Sequence, residues 1–357
     1  MAKDLGSEIP DARSGGSDEA LRMGDGTQWF GHPRGLSTLF FTEMWERFSY
    51  YGMRALLVLF MTAPLAVDNA GFGFAEGRAT AIYGLYTFFV YVLSLPGGWV
   101  ADNLWGGKKA VFVGGCIIAL GHFTMAAPLV GLPEMPTFFL GLLFVVIGTG
   151  LLKPNVSAIV GDLYPEGGAR RDAGFSIFYM GINIGAILGP LLCGYIGEGF
   201  AFGDFSFGGN WHLGFSLAGI GMLLGLVQYR LGERHLADAG DLNVDRSPEE
   251  VSAAEKKFYA IAAGFGLLVA LLGFLISSGS LGLTLEGLAG TLGIVTVVIT
   301  IGFFAYIIIA GGHTEIEKKR LGVIFWLFIL AALFWSGFEQ AGSSLNLFAR
   351  DLTDRNI

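Results

Sequence analysis

Charged residues and cysteines are scarce in this chain. Asp, Glu, Lys and Arg make up 15 % of its 357 residues, and hydrophobic residues make up 53 %. Because soluble domains carry about 25 % charged residues, this balance excludes a soluble globular protein and predicts an all-α polytopic membrane protein. The two cysteines, Cys116 and Cys193, lie within apolar stretches, which argues against a structural disulfide and a Cys/His metal site.

Motifs typical of enzymes and nucleic-acid-binding proteins are also missing. The sequence contains no G-x-x-x-x-G-K-[ST], H-E-x-x-H or G-x-S-x-G pattern, each of which marks phosphate binding or catalysis. Its formal net charge of −8 does not favour nucleic acid, and no basic patch with interleaved aromatics offsets it. We therefore expect no enzymatic activity, no nucleic-acid partner, no metal and no cofactor.

Nine stretches are long and apolar enough to cross a bilayer as helices, which takes about 20 residues. We predict spans at 36–61, 79–100, 109–130, 136–160, 174–197, 212–231, 258–280, 287–310 and 322–349. The corresponding units are a disordered cytoplasmic tail (1–35), a six-helix bundle (36–231), a polar cytoplasmic linker (232–257), two further transmembrane helices (258–310), and a loop with one last helix (311–357).

The distribution of Lys and Arg predicts the orientation of these spans. Basic residues concentrate in the N-terminal tail, in the linker and in alternate loops, whereas the opposite side holds only Arg78, Arg350 and Arg355. Cytoplasmic loops carry the excess of positive charge in membrane proteins. The N-terminus is therefore predicted to lie in the cytoplasm.

Four charged residues interrupt the first span: Glu43, Glu46, Arg47 and Arg54. Each costs about 2.5–3.5 kcal/mol at the bilayer centre unless it meets a partner or a wet cavity. At about 100° per residue, all four fall on one stripe of the helix together with Tyr50. This stripe predicts a functional cavity lined by the first helix.

Later spans carry polar residues as well. Lys153 is predicted to face the same cavity, where Glu43 or Glu46 would pair with it, and a purely structural ion pair is the alternative. Asn183 offers an amide inside the fifth span, either for a ligand or for an interhelical hydrogen bond. Glu339 is a lone carboxylate in an apolar helix, which favours a functional role.

Aromatic residues and one gate candidate complete the prediction. Asp102, in the loop after the second span, would cap or pair with the base of a neighbouring helix. His122 is predicted to be a hydrogen-bonded packing residue. Several aromatic residues are candidates for the cavity wall or for simple packing: Tyr50, Tyr51, Tyr83, Tyr91 and Trp335.

Five motifs resemble the proton-dependent oligopeptide transporter family of the major facilitator superfamily. They are spread over about 300 residues, in the order that the family shows, and the helix pair 258–310 resembles the pair that bacterial members insert between their two six-helix bundles. The motifs are E-x-x-E-R-F-x-Y-Y at 43–51, G-G-W-V-A-D-x-x-x-G at 97–106, K-P-N-V-S at 153–157, F-Y-M-G-I-N-I-G at 178–185 and W-S-G-F-E-Q-x-G-S-S-L at 335–345.

The resemblance implies a symporter that imports di- and tripeptides with protons by alternating access. The resemblance implies peptide binding by Arg54, Tyr50, Tyr51, Lys153, Asn183 and Glu339. The cavity-lining candidates Tyr83, Tyr91 and Trp335 complete the predicted peptide-binding set. The predicted proton-coupling residues are Glu43, Glu46, Arg47 and Glu339. The predicted gate residues are Arg54, Lys153 and Glu339, together with Asp102 of the loop after the second span. An Arg54–Glu339 ion pair would close the outer gate.

The chain departs from the family in ending after one helix of the second bundle, so we expect a complete protein about five helices longer. It also lacks the histidine that the family's animal branch carries in the second helix. Alternative functions are a nitrate or organic-anion carrier of the same family and a non-transporting peptide-sensing membrane protein. We expect a monomer in the bilayer of a bacterial inner membrane.

Overall fold

The computed structural model describes residues 28–202, 205–242, 247–278, 282 and 284–354. Its helices are α1 (Gly35–Thr62), α2 (Glu76–Val92), α3 (Ser94–Val100), α4 (Gly107–Met125), α5 (Glu134–Asp162), α6 (Gly168–Glu198), α7 (Trp211–Gly232), α8 (Pro248–Ser277), α9 (Leu285–Ala310), α10 (Glu315–Phe338) and α11 (Ser344–Asp351). A π-helical turn, Ala101–Trp105, and 3₁₀ segments at Ala127–Val130, Glu233–Leu236 and Glu339–Gly342 join them. Two antiparallel hairpins are β1 (Gln28–Trp29) with β2 (His32–Pro33), and β3 (Phe200–Phe202) with β4 (Phe205–Phe207).

Eight of the described helical segments are long and apolar enough to cross a membrane. They correspond to the predicted spans other than the first. Helix α1 is not among the eight, yet its 28 residues extend for about 42 Å at 1.5 Å per residue. The hydrocarbon core measures about 30 Å. The all-α polytopic class is therefore confirmed, and α1 adds a charged helix to eight apolar ones.

Helices α1 and α4 each make extensive contacts within the first seven helices. Helix α1 lies against α6 and α7, and α4 lies against α5 and α7. One apolar core surrounds Phe60 near the C-terminal end of α1, where its ring meets those of Phe138 and Phe215 at centroid distances of 5.3 and 5.6 Å. A second core surrounds Leu39 near the N-terminal end of the same helix. The charged stripe lies between the two cores.

Close backbone contact between α1 and α6 depends on a row of glycines. A Cβ atom at Gly181 would lie 2.9 Å from the carbonyl oxygen of Phe40, and a Cβ at Gly185 or Gly189 would overlap the main chain of α1 still more closely. Small residues four apart let neighbouring helices approach at their backbones. This row brings α6 against the helix that carries the charges.

Substitution of two neighbouring glycines of α3 is expected to affect the stability of the protein differently. A Cβ on Gly97 would overlap the carbonyl oxygen of Gly150 in α5, whereas a Cβ on Gly98 meets no atom within 4 Å. We expect Gly97→Ala to lower the free energy of unfolding by about 1–3 kcal/mol, as overpacking does. Thermal unfolding of the two variants in detergent tests this. Equal melting temperatures for Gly97→Ala and Gly98→Ala would contradict the close packing of α3 on α5.

The structure corrects three predicted boundaries. Residues 28–33 form the β1–β2 hairpin, so the predicted disorder up to residue 35 is wrong for this segment, and residues 1–27 lie outside the described part. Helix α8 begins at Pro248, ten residues before the predicted span. The last span is not one helix over 322–349: it begins at Glu315 and stops at Phe338.

Local capping explains the early start of α8. The amide of Glu250 donates to Ser247 Oγ at 3.3 Å, and the amide of Ser247 donates to Glu250 Oε2 at 2.9 Å. This reciprocal pair satisfies main-chain donors at a helix start, and Pro248 suits the first helical position. Charged residues of the predicted linker therefore belong to the first turns of a helix.

Helices α8 and α9 pack against the side of the first bundle. Phe258 of α8 contacts the ring of Trp105, with centroids 6.3 Å apart, and Lys109 Nζ lies 3.4 Å from Glu255 Oε1. Helix α9 lies against α2 and α10, where the rings of Phe304 and Phe325 are 4.9 Å apart. Helix α9 therefore contacts both α2 and α10, and the 3₁₀ turn that follows α10 reaches α1.

Candidate functional site

A buried cluster of one cation and two carboxylates forms the centre of α1. Arg47 Nε lies 3.0 Å from Glu43 Oε1 and 2.5 Å from Glu46 Oε2, and all three side chains are buried. Glu43 lies one turn before Arg47 on the same face, and Glu46 precedes it directly. One guanidinium therefore serves two carboxylates.

Three polar atoms of this cluster have no hydrogen-bond partner among the described residues: Glu43 Oε2, Glu46 Oε1 and Arg47 Nη2. Burying ionised groups without full compensation is expensive. With both carboxylates ionised, the cluster carries a net charge of −1, and one proton on either carboxyl group would make it neutral. The arrangement can thus take up one proton inside the membrane.

Arg54, two turns further along α1, joins the helix to α2 and α10. Its Nη2 lies 2.5 Å from Glu339 Oε2 and donates to the Glu339 carbonyl oxygen at 3.1 Å. Its Nε donates to the hydroxyl of Tyr83 on α2, and that hydroxyl donates to the same carbonyl at 3.1 Å. The ion pair that the resemblance implies is present, with Tyr83 as a third member.

The contact between Arg54 and Glu339 depends on the end of α10. The helix ends at Phe338, and the 3₁₀ turn Glu339–Gly342 directs both the carboxylate and the carbonyl of Glu339 at Arg54. A Cβ at Gly342 would overlap the hydroxyl of Tyr83. Glycine is therefore required where the turn passes over the tyrosine.

Tyrosines line the space between the two guanidinium groups. Arg47 Cζ lies 5.0 Å from the ring centroid of Tyr50, and Arg54 Cζ lies 5.9 Å from that of Tyr51. These separations are within the range of cation–π attraction. Tyr50 also stacks on Tyr86 of α2 with centroids 6.3 Å apart. The wall is aromatic and cationic at once.

Lys153 of α5 approaches the site from the other side. Its Nζ lies 4.3 Å from the ring centroid of Tyr91, whose hydroxyl donates to Glu339 Oε1 at 3.5 Å. In the described part of the chain, no carboxylate lies within 4 Å of this ammonium group. The predicted pairing with Glu43 or Glu46 is therefore wrong, because Arg47 binds both carboxylates from their own helix.

Three predicted residues lie outside this cluster: Asn183, Trp335 and Asp102. Asn183 is exposed and its amide donates to the Tyr179 carbonyl of its own helix at 2.9 Å, so the interhelical bond is not formed within the described residues. Trp335 is half-exposed and packs on Phe338, with centroids 5.1 Å apart.

Asp102 is exposed on the π-helical turn, and its predicted pairing is wrong: it forms no ion pair with any described residue. The neighbouring lysines bind elsewhere, because Lys108 Nζ lies 2.7 Å from Asp241 Oδ1 and Lys109 binds Glu255. The loop 101–109 is thereby tied to the linker and to the start of α8.

Two further polar groups, His122 and Tyr86, are buried. His122 was predicted to be a hydrogen-bonded packing residue, which is confirmed, since its Nε2 lies 2.6 Å from Ser49 Oγ and both residues are fully buried. Tyr86 was missed, although its hydroxyl is buried with no partner among the described residues. Its spacing of three from Tyr83 places both on one face of α2, which was the available signal.

Comparison with known proteins identifies the family of the chain. The chain matches the model of the POT family over residues 108–356. It is 40 % identical to an uncharacterized transporter of Bacillus subtilis (strain 168), over 90 % of this chain and 61 % of that protein. It is also 40 % identical to a di-/tripeptide transporter of Lactococcus lactis subsp. cremoris, over 92 % of this chain and 63 % of the relative.

The fold agrees with solved structures as well. A crystal structure of a peptide transporter of the POT family in complex with sulfate superposes with a TM-score of 0.77 at 41 % identity, covering 92 % of this chain and 63 % of that one. The chain thus spans less than two thirds of the length of these relatives. The chain belongs to the POT family, the proton-dependent oligopeptide transporters.

Proposed function

We propose that the protein is a symporter that imports di- and tripeptides together with protons by alternating access. The observation that carries this proposal is the meeting of Arg54, Lys153 and Glu339 around the tyrosines of α2. Family membership supports it, and relatives carrying the name di-/tripeptide transporter support the substrate class.

The charges suit a short zwitterionic peptide. A peptide carboxylate needs a cation, and Lys153 has an aromatic neighbour but no carboxylate within 4 Å in the described part of the chain. A peptide ammonium group needs an anion, which Glu339 supplies when it leaves Arg54. Tyr91 touches both Lys153 and Glu339, so the two binding ends lie within reach of one small molecule. Aromatic walls contact varied side chains without selecting one.

Proton coupling follows from the cluster of Glu43, Glu46 and Arg47. A proton on one carboxyl group removes one of the two ion pairs of Arg47, whose guanidinium also faces Tyr50. Such a local charge change biases a two-state equilibrium when the two states hold the proton differently. Protonation in the outward-facing state would thus favour delivery to the cytoplasm.

The membrane potential supplies enough energy for accumulation. Moving one charge through 100 mV releases about 2.3 kcal/mol, and each tenfold concentration ratio requires about 1.4 kcal/mol. One net charge moved inward therefore supports accumulation on the order of fifty-fold. The excess of Lys and Arg in the tail, linker and alternate loops favours a cytoplasmic N-terminus in a bacterial plasma membrane.

Uptake of dialanine into proteoliposomes that contain the full-length protein tests the proposal. We expect uptake that depends on an inward proton gradient and collapses when a protonophore is added. Dialanine binding without uptake would indicate a peptide-sensing protein. Absence of both would redirect the search to nitrate and organic anions, which the same liposomes can test.

A further inference from the structure

The short helix α11 presents a mixed face to α1 and an apolar face away from it. Leu347 is buried in the core around Phe60, whereas Leu345 and Phe348 are 51 % and 55 % exposed. Asn346 and Arg350 lie four residues apart and therefore share the face of Leu347. Both residues make polar contacts with α1.

Asn346 binds the main chain of α1 directly beside the ion-paired arginine. Its Nδ2 donates to the carbonyl oxygen of Ala55 at 2.8 Å. A helix carbonyl has a second lone pair in addition to the one used within the helix, so this bond does not disrupt α1.

Arg350 binds the last turn of α1. Its Nη1 donates to Thr62 Oγ1 at 2.9 Å, and that hydroxyl in turn donates to the carbonyl of Val58 at 2.9 Å. Asp351 orients the guanidinium, because its carboxylate oxygens lie 2.6 and 2.9 Å from Arg350 Nε and Nη2. The arginine is therefore held in place at the end of α1.

These contacts extend the Arg54–Glu339 pair along the seam between α1 and the segment after α10. Thr62 lies seven residues beyond Ala55, or about 10 Å along the helix. The seam ends at a recess of about 440 Å³ whose lining includes Thr62, Arg350, Glu198 and Trp211. The recess lies at the C-terminal end of α1, and the predicted cytoplasmic tail precedes the opposite end of that helix.

We propose that Asn346 and Arg350 form a latch that keeps the outer side of the seam closed. This inference rests on the proposed alternating-access function. The hydrogen-bond acceptors of the latch on α1 are a main-chain carbonyl and a hydroxyl group. Neither group changes its charge when a peptide or proton reaches the site. The latch therefore opposes outward opening even after a peptide ammonium group has drawn Glu339 away from Arg54.

A cysteine at position 343 reports on the latch. Ser343 is buried at the start of α11, and Ser343→Cys changes its size little. Labelling by a membrane-impermeant maleimide, added from outside to cells that express the full-length protein, measures how often the seam opens. The protein without this substitution gives the background from Cys116 and Cys193.

Thr62→Val removes the hydroxyl acceptor and preserves the shape of the side chain. We expect it to raise the labelling rate of the Ser343→Cys protein about tenfold or more, since it removes a hydrogen bond to the charged Arg350. Thr62→Ser keeps the hydroxyl group and should stay within about twofold. Asn346→Ala should act in the same direction as Thr62→Val.

An unchanged labelling rate in both Thr62→Val and Asn346→Ala would overturn the latch. Arg350→Ala is a weaker test, because it also removes the contacts between Arg350 and Asp351 and risks misfolding. The labelling requires no peptide, so faster labelling in a protein that takes up no dialanine would support the latch while refuting peptide transport.

Discussion

Glu46→Gln is expected to reduce proton-driven dialanine uptake about tenfold or more, equivalent to about 1.4 kcal/mol of lost coupling, while peptide counterflow persists. Glutamine has the shape of glutamate and still accepts from Arg47 Nε, but it cannot exchange a proton. Glu43 remains paired with Arg47 at 3.0 Å, so the site keeps its arrangement. Uptake into proteoliposomes, with and without a gradient, measures both activities.

A carboxylate outside the site provides the control. Glu315 is 82 % exposed at its side chain and pairs only with Lys318 among the described residues. Glu315→Gln should therefore leave both proton-driven uptake and counterflow unchanged. Full gradient-driven uptake by Glu46→Gln would remove this residue from the coupling mechanism.

Lys153→Ala is expected to weaken dialanine binding about 10- to 150-fold, the equivalent of about 1.5–3 kcal/mol for a charge-assisted hydrogen bond. The ammonium group has no carboxylate within 4 Å among the described residues, so its removal leaves no buried anion behind. The fold should thus tolerate the change. The apparent affinity for dialanine, measured by competition in counterflow, tests the prediction.

An amidated peptide separates carboxylate recognition from general damage. If Lys153 binds the peptide carboxylate, the amide of dialanine should bind the parent weakly and lose little more in Lys153→Ala. Lys109→Ala, at a half-exposed lysine beside Glu255, should bind both ligands as the parent does. Equal parental affinity for dialanine and its amide would contradict the assigned role of Lys153.

The features that were predictable from the sequence are those set by helical periodicity and apolar length. The charged stripe of α1, with Glu43, Arg47 and Arg54 on one face, follows from 100° per residue, and the structure buries all of these residues. The glycine row of α6 was visible for the same reason. Both features depend only on positions within one helix.

Partner choice and helix ends were less predictable. Glu43 and Glu46 bind Arg47 and not Lys153, because a cation on the same helix is closer than one on α5. The lysines near Asp102 reach Asp241 and Glu255, which lie more than 130 residues away in the chain. The start of α8 depends on a cap between Ser247 and Glu250 that composition alone conceals.

Because α10 ends at Phe338, part of the contact between this segment and α1 does not depend on which side chains are present. Arg54 and Tyr83 both donate to the main-chain oxygen of Glu339, in addition to the ion pair with its carboxylate. Every amino acid carries that oxygen. Substitution at position 339 can therefore remove the negative charge, but it leaves both hydrogen bonds to the main-chain oxygen in place. Part of the contact between α1 and the turn after α10 thus persists whatever residue stands at this position.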